Sequence, residues 1–302
     1  MRCPPPVVLN RRTLLFAATF LASTLAAQAQ STYTIQRVFR NNTESGGTIT
    51  KAPSADFATI QIALADSTVQ QNLTAGDTFL VKESLGTVTG ALITEYPGDF
   101  DYPTTDIQVI ADITAPGQCL EVAFIGSGVR SVIGFTSHLN TRASLLEGVI
   151  VTGGGGSHDG YLTDPTALVG GGISCLGATP TIRSCTVKDN GLAVDTGDMP
   201  VTLGGGIYAS RGSSEGDHLS GPLIDSCIVE GNLTSLSGTV FDPTGAGIYA
   251  YQCSPEVVDT TVRYNTSHDA GGGVAFENSY FGSEEHLSTQ PMAEGCEVHD
   301  NT

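Results

Sequence analysis

The chain writes one short phrase four times between residues 180 and 301, and that repetition narrows its possible folds more than any other feature. The copies are Pro180-Thr-Ile182-Arg-Ser-Cys185-Thr-Val187-Lys-Asp-Asn190 and Pro222-Leu-Ile224-Asp-Ser-Cys227-Ile-Val229-Glu-Gly-Asn232, followed by Pro255-Glu-Val257-Val-Asp-Thr260-Thr-Val262-Arg-Tyr-Asn265 and Pro291-Met-Ala293-Glu-Gly-Cys296-Glu-Val298-His-Asp-Asn301. A second phrase is interleaved with it: Gly170-Gly-Gly-Ile173, Gly204-Gly-Gly-Ile207, Gly245-Ala-Gly-Ile248 and Gly271-Gly-Gly-Val274. Within a copy the spacing is fixed, whereas the Cys/Thr positions of successive copies lie 42, 33 and 36 residues apart. Rigid segments joined by elastic connectors are the product of a solenoid, because insertions fall in loops and leave the stacked strands untouched. The segments are short, β-branched and bounded by glycine, which suits strands; no helical period spans any of them.

Alternation with period two assigns the faces. Val187, Val229, Val262 and Val298 form one inward column. Ile182, Ile224 and Val257 form another, out of phase with the first, so a bend near Arg183-Ser184 is expected. Rungs of a parallel coil sit about 4.8 Å apart, so equivalent residues stack on themselves. Asn190, Asn232, Asn265 and Asn301 should then form an asparagine ladder, each amide bonding the next. The glycines allow positive φ and close backbone approach at another corner. These features predict an all-β, right-handed parallel β-helix solenoid.

The repeat resembles the pectin-lyase-like superfamily of right-handed β-helices. The pairing of Gly-Gly-Gly-Ile with Val-x-x-Asn is also similar to the Gly-Gly-Ala-Ile and Phe-x-x-Asn repeats of bacterial polymorphic outer-membrane proteins, with Val in place of Phe and no visible autotransporter barrel. The resemblance covers roughly the last half of the chain at the level of motifs. It implies fold strongly and function weakly.

Residues 1–29 read as an export signal. Arg2, Arg11 and Arg12 supply a positive start, residues 14–27 an apolar run and Ala27-Gln-Ala29 a small-x-small cleavage site. Arg11-Arg12-Thr-Leu-Leu-Phe leaves a twin-arginine signal open beside a general secretory one. A secreted or cell-surface location is expected either way. Formal charge is −18, from 13 basic and 31 acidic residues, and about −21 without the three arginines of the signal. That acidity argues against binding nucleic acid or anionic membranes and fits cation binding or plain solubility.

Residues 30–77 should hold a first edge strand (33–38), a loop and a short amphipathic helix. Ser54 is placed to cap that helix, with Phe57, Ile60 and Leu64 on one face. The Ala-Thr-Ile-Gln and Gly-Asp-Thr arrangement in this region resembles the N-terminal start of many extracellular β-helices, where such a helix covers the open apolar end. Residues 78–302 should form the coil, with less regular strands at 78–82, 88–94, 107–113, 120–125 and 145–152. Gly148-Val-Ile150-Val-Thr-Gly153 reads as a degenerate rung, Gly148 standing for Cys185 and Gly153 for Asn190. No second domain is visible. The chain stops at a rung corner, which leaves end-to-end self-association open.

Chemistry is harder to read. Cys185 and Cys227 share an inward position, rejoined by Cys296 after Thr260. A stack of small buried thiols and a Cys185–Cys227 disulfide both fit, and no spacing supports a metal. One outward column runs Lys188, Glu230, Arg263, His299. Its alternating sign suits salt bridges; lyases of the resembled superfamily use a basic residue on an outward sheet, which would make Lys188 or Arg263 the base with Glu230 assisting. Loops after the Asn corners carry Asp195, Asp198, Asp242 and Asp269, hard oxygen ligands that could hold Ca²⁺ or serve as solvated turn residues. Two other loops, Asp217-His218-Leu and Glu285-His286-Leu, set an acid beside a histidine, with Tyr280 leading into the second. Asp225 and Asp259 fall in neighbouring columns and make a weak glycosidase pair. The sequence therefore supports an exported module that recognises carbohydrate (a polysaccharide or cell-surface glycan) or another surface through its loops. A polysaccharide-active enzyme, lyase or glycosidase, is the alternative.

Overall fold

The computed structural model describes residues 32–40, 43–51, 64, 67–82, 93–97, 99–112, 121–158, 168–192, 202–211, 220–234, 245–267, 271–277 and 292–302. Among the described residues the protein is all-β with almost no helix. Its strands lie in three large parallel sheets of nine, seven and six strands, with two small sheets beside them. The chain visits the large sheets in rotation. Thr181–Arg183 lies in the first sheet, Thr186–Lys188 in the second and Ile207–Ser210 in the third. Ser220–Asp225, Ile228–Glu230 and Ile248–Tyr251 repeat the circuit, and Ser254–Val258, Thr261–Arg263 and Val274–Glu277 repeat it again. This topology is consistent with a parallel β-helix.

The register stacks like on like. Val151 pairs with Val187, Val187 with Val229, Val229 with Val262 and Val262 with Val298. In the first sheet Leu146, Ile182, Ile224 and Val257 succeed one another in the same way. All of them except Val298, which is 54 % exposed on the last rung, belong to one continuous core cluster that runs from Val69 to Val262. Burying each such side chain contributes about 1.5–3 kcal/mol, so a column of them holds successive rungs in step. The bend that brings both columns inward falls where expected: Ser184, Ser226 and Asp259 have φ of 50°, 55° and 47°, and Gly295 takes the same place at 65°.

Several boundaries differ from the sequence reading. The expected strand 145–152 is two strands, Leu145–Glu147 and Ile150–Thr152, with Gly148 (φ 74°) as the bend between them. Since Val151 pairs with Val187, Val149 occupies the position of Cys185 and Gly154 that of Asn190. The degenerate rung is thus one residue out of the expected alignment. Glycine replaces the left-handed bend residue there and not the thiol. The expected edge strand at 33–38 is Thr32–Arg40, but the edge itself is Thr43–Lys51, paired antiparallel to it through residues read as loop. The expected helix at 54–66 lies almost wholly outside the described residues. The helix Ser67–Asn72 was not foreseen; its Val69 is buried, and Leu64 and Leu73 pack against the core.

The lower rungs close differently from the upper ones. Aromatic rings fill them: Tyr102 stacks on Phe135 at 4.0 Å, and Phe100 meets Phe124 edge-on at 5.3 Å. Tyr102 follows Phe135 in register on the neighbouring rung, and Phe100 reaches across to Phe124 of another sheet, so large rings of differing kind fill these rungs in place of the repeated Val and Ile. On the third sheet a second cluster lies outside the coil. Tyr208 and Tyr249 stack at 5.8 Å, packed with Val169 and Leu203 from a small sheet formed by Ser157–His158, Leu168–Val169 and Thr202–Leu203.

Candidate functional site on the second sheet

The interior of the second sheet's corner is set by the asparagines. Oδ1 of Asn232 accepts from the backbone N–H and Nδ2 of Asn190 at 3.2 and 3.0 Å. Asn265 does the same for Asn232 at 3.0 and 2.9 Å, and Asn301 for Asn265 at 2.9 and 2.9 Å. Each Nδ2 also donates to a valine carbonyl of the preceding rung: Val151, Val187, Val229 and Val262 in turn. The ladder therefore forms as the repeat predicts. A second coupling explains why the two phrases travel together. A Cβ on Gly206 would lie 2.9 Å from Asn232 Nδ2 and 3.0 Å from Val229 Cγ1, and Gly172, Gly247 and Gly273 meet the Asn and Val of the phrase that follows each of them in the chain in the same manner. The third glycine of one phrase is the floor on which the other phrase's Asn and Val rest.

The thiol column has an equally local cause. Cys185 donates to Leu146 O at 3.5 Å, Cys227 to Ile182 O at 3.5 Å and Cys296 to Val257 O at 3.3 Å; Thr260 donates to Ile224 O at 3.4 Å in their place. The position takes a small buried side chain: Cys and Thr interchange there with a weak donor to the rung before, and Val149 fills it without one. The described cysteines are free thiols. Burial pushes the Cys253 thiol up to about 12, and burial raises Cys175 as well. The Cys227 thiol is raised by its hydrogen bond with Cys185 and by burial. Burial pushes the Cys185 thiol up, but its hydrogen bond with Cys227 and those to the backbone around Val149 bring it below its usual value; Cys175, Cys227 and Cys253 are protonated packing elements.

Outside the same strands lie Lys188, Glu230, Arg263 and His299, in one column as predicted. Arg263 Nε donates to Glu230 Oε2 at 2.8 Å, which raises the guanidinium above its usual range. That direction favours a fixed cation and works against proton abstraction by Arg263. Lys188 stands in register with Glu230. On the first sheet Arg183 pairs with Asp225 at 3.0 Å. Asp225 is in register with Val258, and Asp259 occupies the next column at a left-handed corner, so the two carboxylates do not face each other.

One residue past the charged column comes the corner column Gly153, Asp189, Gly231, Tyr264 and Asp300, all with positive φ. Glycine takes such a conformation freely and Asp tolerates it; for a bulky residue it costs roughly 1 kcal/mol or more. Tyr264 has φ 56° and is 55 % exposed. Burial therefore does little to offset that cost. The Arg263 guanidinium lies 5.5 Å from its ring centroid, and the His299 ring meets it edge-on at 6.2 Å, with His299 Nδ1 2.9 Å from Asp300 Oδ2. An exposed ring among paired charges can stack on the C–H face of a sugar while its neighbours bond hydroxyls.

Comparison of the chain with protein families, with curated proteins and with solved structures gives no match. The site thus stands on its own geometry. Of the predicted residues, the structure brings Lys188, Glu230 and Arg263 together. Asp195, Asp198, Asp242, Asp269, Asp217, His218, Tyr280, Glu285 and His286 lie outside the described residues. No group of three or more His, Cys, Asp or Glu among the described residues is placed to hold a metal ion. The sequence reading missed Tyr264. Its signal was a bulky residue at the repeat position that Asp or Gly fills in the other three copies.

Proposed function

We propose that this chain is an exported right-handed parallel β-helix of the pectin-lyase-like kind that recognises carbohydrate on its outer surface, as a secreted or cell-surface module. The observation that carries the reading is Tyr264, an exposed aromatic ring held in a left-handed backbone conformation where the neighbouring rungs use Asp or Gly. A costly conformation retained at a surface is a reason to suspect function. The export signal at residues 1–29, the capping helix and the acid–His loops around Asp217-His218 and Glu285-His286 belong to the same proposal.

A glycan array probed with the protein tests it directly. Retention of one class of saccharide is expected, and a blank array would overturn the reading. Digestion of polysaccharides in the presence of Ca²⁺, followed for unsaturated or reducing ends, separates a binding module from an enzyme. Product formation abolished by Lys188→Ala would move the assignment to a lyase. The calcium proposal for the Asp195, Asp198, Asp242 and Asp269 loops predicts a higher unfolding temperature in Ca²⁺ than in chelator.

A further inference from the structure

One asparagine of the ladder differs chemically from the others. Asn190 is followed by Gly191, whereas Leu233, Thr266 and Thr302 follow Asn232, Asn265 and Asn301. The backbone nitrogen after an asparagine can attack the side-chain carbonyl carbon and close a succinimide ring. Glycine leaves that nitrogen unshielded, because it carries no Cβ. The fold does not require glycine here. A Cβ on Gly191 would meet nothing within 4 Å, and its φ is not positive; at Gly172, by contrast, a Cβ would press on Val187 and Asn190. Gly191 pairs with Leu233 of the next rung, so a side chain is accommodated at the same place.

In the folded coil both reacting groups are held. Asn190 is buried. Its Oδ1 accepts from Gly154 N–H at 3.0 Å, and its Nδ2 donates to Val151 O, Lys188 O and Asn232 Oδ1 at 3.1, 3.0 and 3.0 Å. Gly191 N–H donates to Gly154 O at 3.1 Å. The attacking nitrogen is thus engaged with the rung below, and the leaving amide with both neighbouring rungs. Opening of this corner releases the two together. We propose that Asn190-Gly191 is a modification site, open to spontaneous deamidation with water as co-reactant, which the asparagine ladder suppresses while the rung is closed. Gly191 N bonds to Asn190 Cγ, the Cγ–Nδ2 bond breaks, and ammonia leaves with the proton lost from the glycine nitrogen. Water then opens the ring to aspartate or isoaspartate, with no change of oxidation state. Either product lacks the Nδ2 donor for Val151 O and Lys188 O and sets a carboxylate against Asn232 Oδ1. Isoaspartate also lengthens the backbone at the corner. A rung that has reacted does not reclose as before, so the opening leaves a permanent mark.

The test incubates the full chain at mildly alkaline pH, in native buffer and in urea above its unfolding transition, and follows each asparagine peptide by mass analysis. Gly191→Ala, which fills the open space, and Asn190→Asp run beside it. In urea Asn190 should deamidate roughly tenfold faster than Asn232 and Asn265, whose successors carry a Cβ. Gly191→Ala should lose that fast phase and keep the thermal unfolding midpoint of the wild type. Native buffer should slow Asn190 by at least about a hundredfold, because a buried, hydrogen-bonded corner opens rarely. Asn190→Asp should unfold at a lower temperature than the wild type. Rates in urea no faster at Asn190 than at Asn232 and Asn265 would rule out the site. Equal rates at Asn190 in native buffer and in urea would overturn the guarding role of the ladder. An Asn190→Asp midpoint equal to that of the wild type would remove the permanent mark.

Discussion

Tyr264 and Asn265 are neighbours in the chain and opposites in what constrains them. Asn265 is fully buried, and its amide serves three rungs at once, accepting from Asn232, donating to Val229 O and reaching Asn301. Tyr264 is exposed, and the backbone asks of it only a positive φ. The asparagine column accordingly keeps one residue type through four rungs, while the column beside it changes among Asp, Gly and Tyr. Inside the corner, identity is fixed by hydrogen bonding. Outside it, only the sign of a dihedral is fixed, and the side chain is free to be used for something else.

The largest expected effect lies on the interior side. Asn265→Ala leaves the amide of Asn232 without its acceptor and the Val229 carbonyl without its donor, all in a buried corner. It should cost about 3–5 kcal/mol in urea unfolding. A loss no larger than that of a surface substitution would erase the contrast between the two columns. Gly206→Ala comes next. Its Cβ would lie 2.6 Å from Gly247 O and 2.9 Å from Asn232 Nδ2, and a cost of about 1–3 kcal/mol is expected.

The thiol column sharpens the point further. Cys227→Thr should change stability by less than about 1 kcal/mol, because Thr260 already fills that place one rung on, whereas Cys227→Ala should cost about 1–2 kcal/mol through the lost donor and volume. Equal costs for the two variants would show that the donor is irrelevant. The smallest effect has the opposite sign. Tyr264→Asn should stabilise by about 0.5–1 kcal/mol, by relieving a left-handed bulky residue. Destabilisation on thermal unfolding would mean that the ring serves packing after all.

The contrast also explains what could be read from the sequence. The Val, Ile and Asn columns were legible because stacking demands the same residue at every rung, and repetition writes that demand into the chain. The lower rungs were not, since large rings of differing kind (Phe100, Tyr102, Phe124 and Phe135) replace the repeated Val and Ile there and leave no periodic trace. At Gly148 the reading slipped by one residue, because glycine there fills the left-handed bend of Ser184 and Val149 takes the thiol's place. The antiparallel edge at Thr43–Lys51 hid behind polar residues and a Gly46-Gly47 pair that read as loop. The charged column of Lys188, Glu230 and Arg263 was placed in full. Tyr264 went unseen for the converse reason: attention to what repeats passes over the single departure, and departures are where a repetitive scaffold has room for chemistry.

The contact between the third glycine and the Asn–Val pair carries a consequence for how such a chain can change over time. Neither phrase is useful alone, since a turn inheriting the asparagine without its glycine partner would have no space for the amide. Lengthening by partial segments is thereby penalised, and growth is channelled into the gain or loss of entire circuits. The unequal intervals between copies fall in the connectors at the rims, where added length leaves the glycine and its Asn–Val pair untouched.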